Sequence, residues 1–166
     1  MTVAEGLLPE FDREMGVTRR LLERVPDERF AWKPHVKSMS LGELATHVAN
    51  LPSWGAITLN RSEFNMDGPN STTPAGSRTE LLERFDRNVA ETRTALVGKI
   101  DAELMTLWAL KQSGRTVFTM PKTAVWRTFL MNHLVHHRGQ LSVYLRLNDV
   151  PVPAMYGPSA DEAPNF

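Results

Sequence analysis

Apolar residues recur at steps of three and four along most of the chain, the spacing that gathers side chains on one side of a helix. Over residues 2 to 25 that stripe is Leu7, Leu8, Phe11, Met15, Thr18, Leu22 and Val25, with Glu10, Arg13, Glu14, Arg19 and Arg20 falling largely off it. The pattern predicts an amphipathic helix closed by Pro26, followed by a loop over residues 26 to 39. Ser40-Leu41-Gly42-Glu43 has the form of a capping box, in which the serine oxygen and the glutamate satisfy first-turn amides reciprocally. The helix it opens buries Leu41, Leu44, Ala45, Val48 and Leu51, with His47 among them; Pro52 kinks it and it resumes through Trp54 and Ile57.

Residues 61 to 76 are polar and rich in breakers, which predicts a loop. A second capping box, Ser77-Arg78-Thr79-Glu80, opens a third helix with Leu81, Leu82, Phe85, Val89, Thr92, Leu96 and Ile100 on its buried face. The period then changes. Leu107-Trp108-Ala109-Leu110 and Thr116-Val117-Phe118-Thr119 flank Gln112-Ser113-Gly114-Arg115, a short hairpin or two extended arms. Pro121 suits the first turn of a fourth helix running to about Asn148, with Trp126, Leu130, His133, His137, Leu141 and Tyr144 on one stripe. The Pro-rich last 18 residues read as an extended tail over the bundle. The expected architecture is all-α: a four-helix bundle with one hairpin insertion, forming a single domain over residues 1 to 166.

At 166 residues, 42% hydrophobic and 23% charged, the chain has the composition of a folded globular protein. Nineteen basic residues balance nineteen acidic ones, so bulk charge draws it neither to nucleic acid nor to an acidic membrane. No apolar run approaches the ~20 residues of a membrane span, and Glu5, Pro9, Glu10 and Asp12 interrupt any signal-peptide core. There is no cysteine, hence no thiolate ligand and no cysteine nucleophile. Together these predict a cytoplasmic protein without nucleic-acid or membrane partners.

The candidate chemistry lies in histidines. His133 and His137 are one turn apart on a stripe that a helix normally buries, the spacing that lets two imidazoles converge on one cation. His47 meets them if the second and fourth helices face each other. Three imidazoles suit zinc, nickel, copper or iron and leave positions for water or substrate; the alternative is a hydrogen-bonded core cluster. His136, next to the pair, is a candidate catalytic residue or a ligand alongside His133, with the surface or an outer position favoured; His35 could reach the site mouth, with a solvated loop the commoner outcome. Glu43 could orient a ligand or act as a base, although capping already accounts for it. Gln140 could donate to a bound ligand or serve structure. Trp54, Trp126, Met131 and Tyr144 are candidates for an apolar pocket but commoner as core; Arg127 and Arg138 are candidates for binding an anion, with a solvated helix face as the default.

Four stretches resemble the DinB/YfiT-like superfamily of metal-binding four-helix bundles. They are Lys-Pro-His-Val-Lys-Ser (33 to 38), Ser-Leu-Gly-Glu-Leu-Ala-Thr-His (40 to 47), His-Leu-Val-His-His-Arg-Gly-Gln-Leu-Ser-Val-Tyr-Leu-Arg (133 to 146) and Val-Pro-Ala-Met-Tyr-Gly-Pro-Ser-Ala-Asp-Glu (152 to 162). The resemblance spans nearly the whole chain and implies that His47, His133 and His137 hold a divalent metal, zinc or nickel. Some relatives are transferases or isomerases that use bacillithiol, mycothiol or glutathione. The implied activity is a thiol-dependent S-transferase on small electrophiles, the metal holding the thiol of a low-molecular-weight cofactor as thiolate. The alternatives it leaves are a non-catalytic, stress-associated metal-binding bundle and a hydrolase that activates water. Homodimers are frequent among such proteins, so a homodimer is expected.

Overall fold

The computed structural model describes residues 1–67 and 73–163. Helix α1 spans Val3–Leu22, ending three residues before the expected limit, and a Thr2–Glu5 capping box fixes its start. The Ser40–Glu43 box does the same for α2, Leu41–Asn50. Leu51 and Pro52 then interrupt the helix before α3, Ser53–Asn60. Thr92 holds this break open: its hydroxyl donates to the Pro52 carbonyl at 2.6 Å and accepts from the Ala56 amide at 3.0 Å, taking the place of a helical hydrogen bond. Gly55 permits the approach, since a Cβ there would lie 2.2 Å from the Thr92 methyl.

Helix α4, Arg78–Leu96, is only half boxed as expected. The Ser77 hydroxyl accepts from Glu80 at 3.2 Å, but the Glu80 carboxylate takes the Gly76 amide at 2.8 Å. The helix also ends early. Val97 leaves helical backbone at ψ 127°, so Ile100, placed by its spacing in the core, is exposed and starts the single turn α5, Asp101–Leu104.

The chain is mostly helical rather than all-α, because a three-stranded sheet is built onto the bundle. β2 (Leu107–Gln112) and β3 (Arg115–Pro121) form the expected antiparallel hairpin, turning through Ser113 (φ 51°) and Gly114 (φ 70°), the paired positive angles of a type I′ turn. β1, Glu63–Asn65, lies inside the stretch expected to be loop and pairs parallel with β2, Phe64 opposite Leu110. A three-residue strand with one apolar side chain carries no alternation to read, and its partner is far away in sequence. The rest of that expected loop includes residues 68–72, which lie outside the described residues, as do 164–166 of the tail.

The last helix runs without interruption from Lys122 to Leu147, Pro121 standing just outside it as N-cap. We call its first turn α6 (Lys122–Val125) and its last part α7 (His133–Leu147); between them Trp126–Asn132 is wound as a π-helix. Helix α4 packs on α1, α2 and α3, and α7 packs on α1 and α2. The main core fills the space between them, with Phe11, Leu21, Leu44, Val48, Leu81, Phe85, Leu134, Leu141 and Leu145 at its centre. A second, smaller core of Trp108, Leu110 and Val125 ties the sheet to α3 and the π segment. Among the described residues no helix is long and apolar enough to cross a membrane.

Candidate metal centre

The face of α7 that meets the core is Leu134, Arg138, Leu141 and Leu145; of the expected stripe Trp126, Leu130 and Leu141 are buried, and the other three are not. His133, His137 and Tyr144 lie on the adjoining face, half-buried, toward α2. His47 projects from the middle of α2 at the same level. The ligating nitrogens of His47, His133 and His137 all lie within 4.8 Å of one another, and no other group of three such ligands forms among the described residues. Nε2 of His47 stands 3.3 Å from Nε2 of His133, and the His47 ring centroid is 4.4 Å from that of His137.

This arrangement fits a cation. Nitrogens bound to one zinc at about 2.0–2.1 Å in a tetrahedron sit roughly 3.3–3.4 Å apart, close to the His47–His133 separation. No carboxylate stands among the three rings, which face each other; the His47–His133 separation is also that of a hydrogen-bonded pair. Gln140 Oε1 lies 2.7 Å from Nδ1 of His137, accepting its N–H and leaving Nε2 as the lone-pair nitrogen. His133 is steadied by a hydrogen bond with the backbone of Phe129, four residues back in the π segment, where the His133 amide bonds Leu130 instead. A π turn beside a site is a recurrent way of aiming a side chain that a regular helix would turn elsewhere.

Protonation favours ligation too. Burial, and then His137 and His133 nearby, bring the His47 imidazole down to about 4. Burial also lowers His133 and His137, although the Phe129 and Gln140 hydrogen bonds oppose it. Burial thus favours the neutral form of each ring, the form that ligates a metal.

The other sequence candidates separate clearly. Glu43 is held by its cap, accepting from the Ser40 amide at 2.6 Å and pairing with Lys33 at 3.3 Å. His136 is exposed, its ring edge-on to His137. His35 is exposed in its loop, its Nδ1 accepting from the Lys37 amide at 3.2 Å. Arg127 is exposed and paired with Glu10 at 2.6 Å. Trp126 and Met131 lie in the core rather than in a pocket, Trp126 packed on Phe11 at 5.4 Å, and Tyr144 stands edge-on to Trp32 at 5.5 Å.

Arg138 corrects the expectation most sharply. Its side chain is 1% exposed. Nη2 bonds the Glu14 carboxylate at 2.6 Å and also the Tyr156 hydroxyl, while Nη1 bonds Thr18 Oγ1 at 3.0 Å and the Glu14 carbonyl at 3.1 Å. Tyr156 donates to Glu14 at 2.8 Å, which closes the cluster and anchors the C-terminal tail. Arg138 is thus spoken for inside the protein. The sequence held the signal: Arg138 sits in register with Leu134, Leu141 and Leu145, and Glu14 lies between Phe11, Met15 and Thr18, two opposite charges on two buried stripes.

Of the aromatic candidates Trp54 alone reaches a cavity. A cleft of about 880 Å³ opens beside His47 and is walled by Trp54, Leu51, Ile57 and Phe64. Trp54 is propped by Phe64 of β1, Trp108 of β2 and Phe129 of the π segment, with ring centroids 5.0, 6.5 and 6.0 Å away. The sheet that was partly hidden in the sequence therefore supplies the cleft wall and its support.

Similar proteins carry the same architecture. The chain is 24% identical over 165 residues to Uncharacterized protein YrdA of Bacillus subtilis (strain 168), covering 98% of this chain and 93% of that one. The crystal structure of a DinB-like protein from Bacillus cereus ATCC 10987 superposes with a TM-score of 0.72 at 23% identity, over 93% of this chain and 98% of that one. A second, the DinB-like protein YjoA from Bacillus subtilis, gives 0.68 at 20% identity, over 88% and 95%. At such identities these structures speak to the fold. The DinB family model matches residues 1–164, and the chain belongs to the DinB family.

Proposed function

We propose that His47, His133 and His137 hold one divalent cation, zinc or nickel, and that the protein is a metal-dependent enzyme, a thiol-dependent S-transferase acting on small electrophiles. The observation that carries the metal is the convergence of three imidazoles from two helices, with their ligating nitrogens within 4.8 Å of one another. A donor set made only of imidazole suits zinc and nickel, as it does copper and iron. Three protein ligands leave the cation a position open, as in catalytic rather than closed structural sites. When bound, the cation supplies Lewis acidity that keeps a ligating thiol ionised near pH 7.

The chain's own residues do the rest. Gln140 fixes the His137 ring, the π turn fixes His133, and the cleft beside His47 gives an electrophile room to approach. The chain contains no cysteine, so a sulfur nucleophile has to arrive with a cofactor.

Two measurements test this. Protein purified without a histidine tag should contain about one equivalent of metal, lost in His133→Ala; no metal in any preparation overturns the reading. The metal-loaded protein, offered a panel of low-molecular-weight thiols with a chromogenic electrophile, should exceed the rate of thiol alone, and His47→Ala should remove the excess. No excess with any thiol overturns the transferase step while leaving the metal site intact.

A further inference from the structure

We infer that the cleft beside His47 selects an apolar, preferably aromatic, ligand that carries an anionic group, and that Lys37 is the residue that selects the anion. The inference rests on the proposed enzyme only for the ligand's use; the binding itself stands on the cleft. At about 880 Å³ the cavity lies in the range that holds drug-sized molecules. One side of it is apolar, with Met39, Leu51, Trp54, Ile57 and Phe64. Trp54 is half-buried, so part of its ring remains free to pack on a ligand after its contacts with Phe64, Trp108 and Phe129.

The two charged residues of the lining, Lys37 and Glu43, are opposite in sign, but their surroundings differ. Lys37 and Glu43 both face the cleft. Glu43 is already committed to the Ser40 amide and to Lys33, which lies outside the lining. Lys37 has no ion-pair partner among the described residues, and its neighbour Ser38 adds a hydroxyl. With Lys33 matching Glu43, the Lys37 ammonium is left as the uncompensated charge beside the hydrocarbon wall. His47, Thr46, Asn50 and Ser53 form the polar side. Thr46 Oγ1 accepts from Ala75 and Ser53 Oγ donates to the Asn50 carbonyl, so both hydroxyls are engaged in the fold. A ligand with an apolar body and a carboxylate is complementary to this distribution. A polar thiol cofactor is not, so the subsite belongs to the electrophile.

The test compares phenylbutyrate, phenylbutanol and phenylbutylamine by calorimetry and tryptophan fluorescence, on the full chain with zinc and after chelation. The acid should bind at least tenfold tighter than the alcohol, and the amine weakest. Lys37→Met should bring acid and alcohol together by weakening the acid alone, and Trp54→Leu should weaken all three. In His133→Ala, which removes a proposed metal ligand outside the cleft lining, the preference for the acid should survive, so that a failed metal site and a failed cleft give different results. Glutathione, anionic without an apolar body, should not displace phenylbutyrate at equal concentration. Equal binding of acid and alcohol, an unchanged preference in Lys37→Met, its loss in His133→Ala, displacement by glutathione, or no binding of any probe would each overturn the inference.

Discussion

Helix α7 carries two polar clusters less than a turn apart, and they are built on opposite principles. Arg138, Glu14 and Tyr156 close on themselves: each bonds the other two, and a full positive charge is balanced inside the core. The histidine cluster beside it stays open. Its rings share one sign of lone pair, carry no counter-charge, and are only half-buried. A polar group that satisfies itself can be left to hold a fold together; one that presents unshared lone pairs toward a common point is waiting for an electrophile. The contrast explains why the more deeply buried cluster is structural and the shallower one is the candidate site.

The largest expected effect breaks the closed cluster. Arg138→Leu leaves the Glu14 carboxylate buried without its partner and should cost about 3–5 kcal/mol in urea unfolding. The double change Glu14→Leu/Arg138→Leu should recover much of that loss, since the desolvated charge is gone. If the single change costs under about 1 kcal/mol, the cluster is not closed in the sense argued above. The open cluster should respond in the reverse way. His47→Ala should alter the metal-free stability by no more than about 1 kcal/mol, because the site is half solvated. It should abolish the stabilisation by metal, about 2.7 kcal/mol at a hundred times Kd in the parent protein. Thermal melts over a zinc series measure both; a variant that keeps its metal-dependent shift would show that His47 is no ligand.

How far this contrast can be read from sequence depends on the residue. The helices were legible from their apolar spacing and from the Ser40–Glu43 box, and the hairpin from Ser113-Gly114 between two extended runs. His47, His133 and His137 were legible as a set, although the spacing put them on the buried stripe. The π turn over Trp126–Asn132 and the Leu134–Leu145 face set them on the flank instead, and no local signal marks a π turn. β1 was not legible, being too short to alternate. Arg138 was misplaced for a different reason: a charge among leucines reads as an edge of the stripe until its partner on α1, far away in sequence, is known.

A smaller effect should separate the ligands from what orients them. Gln140→Leu removes the acceptor on His137 Nδ1 while leaving all three imidazoles in place. Metal affinity should fall about 10–100-fold, the usual effect of losing such a partner, with stability in the absence of metal unchanged. Competition with a fluorescent zinc chelator reads this directly. An affinity equal to the parent's would mean that the ring is aimed by packing alone.

The smallest effect lies in the tail, and it tests whether the two clusters are independent. Asp161 pairs with Arg146 and accepts the Val152 amide at 2.8 Å, while Glu162 pairs with Arg20 and with Arg24 at 3.0 Å; these ties hold the segment on which Tyr156 reaches Arg138. The Arg146 hydrogen bond, and then the Val152 amide, hold Asp161 below the ordinary aspartate value of 3.8. A carboxyl whose value is lowered on folding stabilises the protein above its unfolded value, and that contribution is lost as the pH falls through the folded one. The deficit of Asp161→Asn relative to the parent should therefore be present at pH 6 and shrink below pH ~4. Because the tail touches the closed cluster and not the open one, the same variant should bind zinc with unchanged affinity at pH 7. A drop in zinc affinity would show that the two clusters communicate along α7, and that the closed one tunes the open one rather than merely standing beside it.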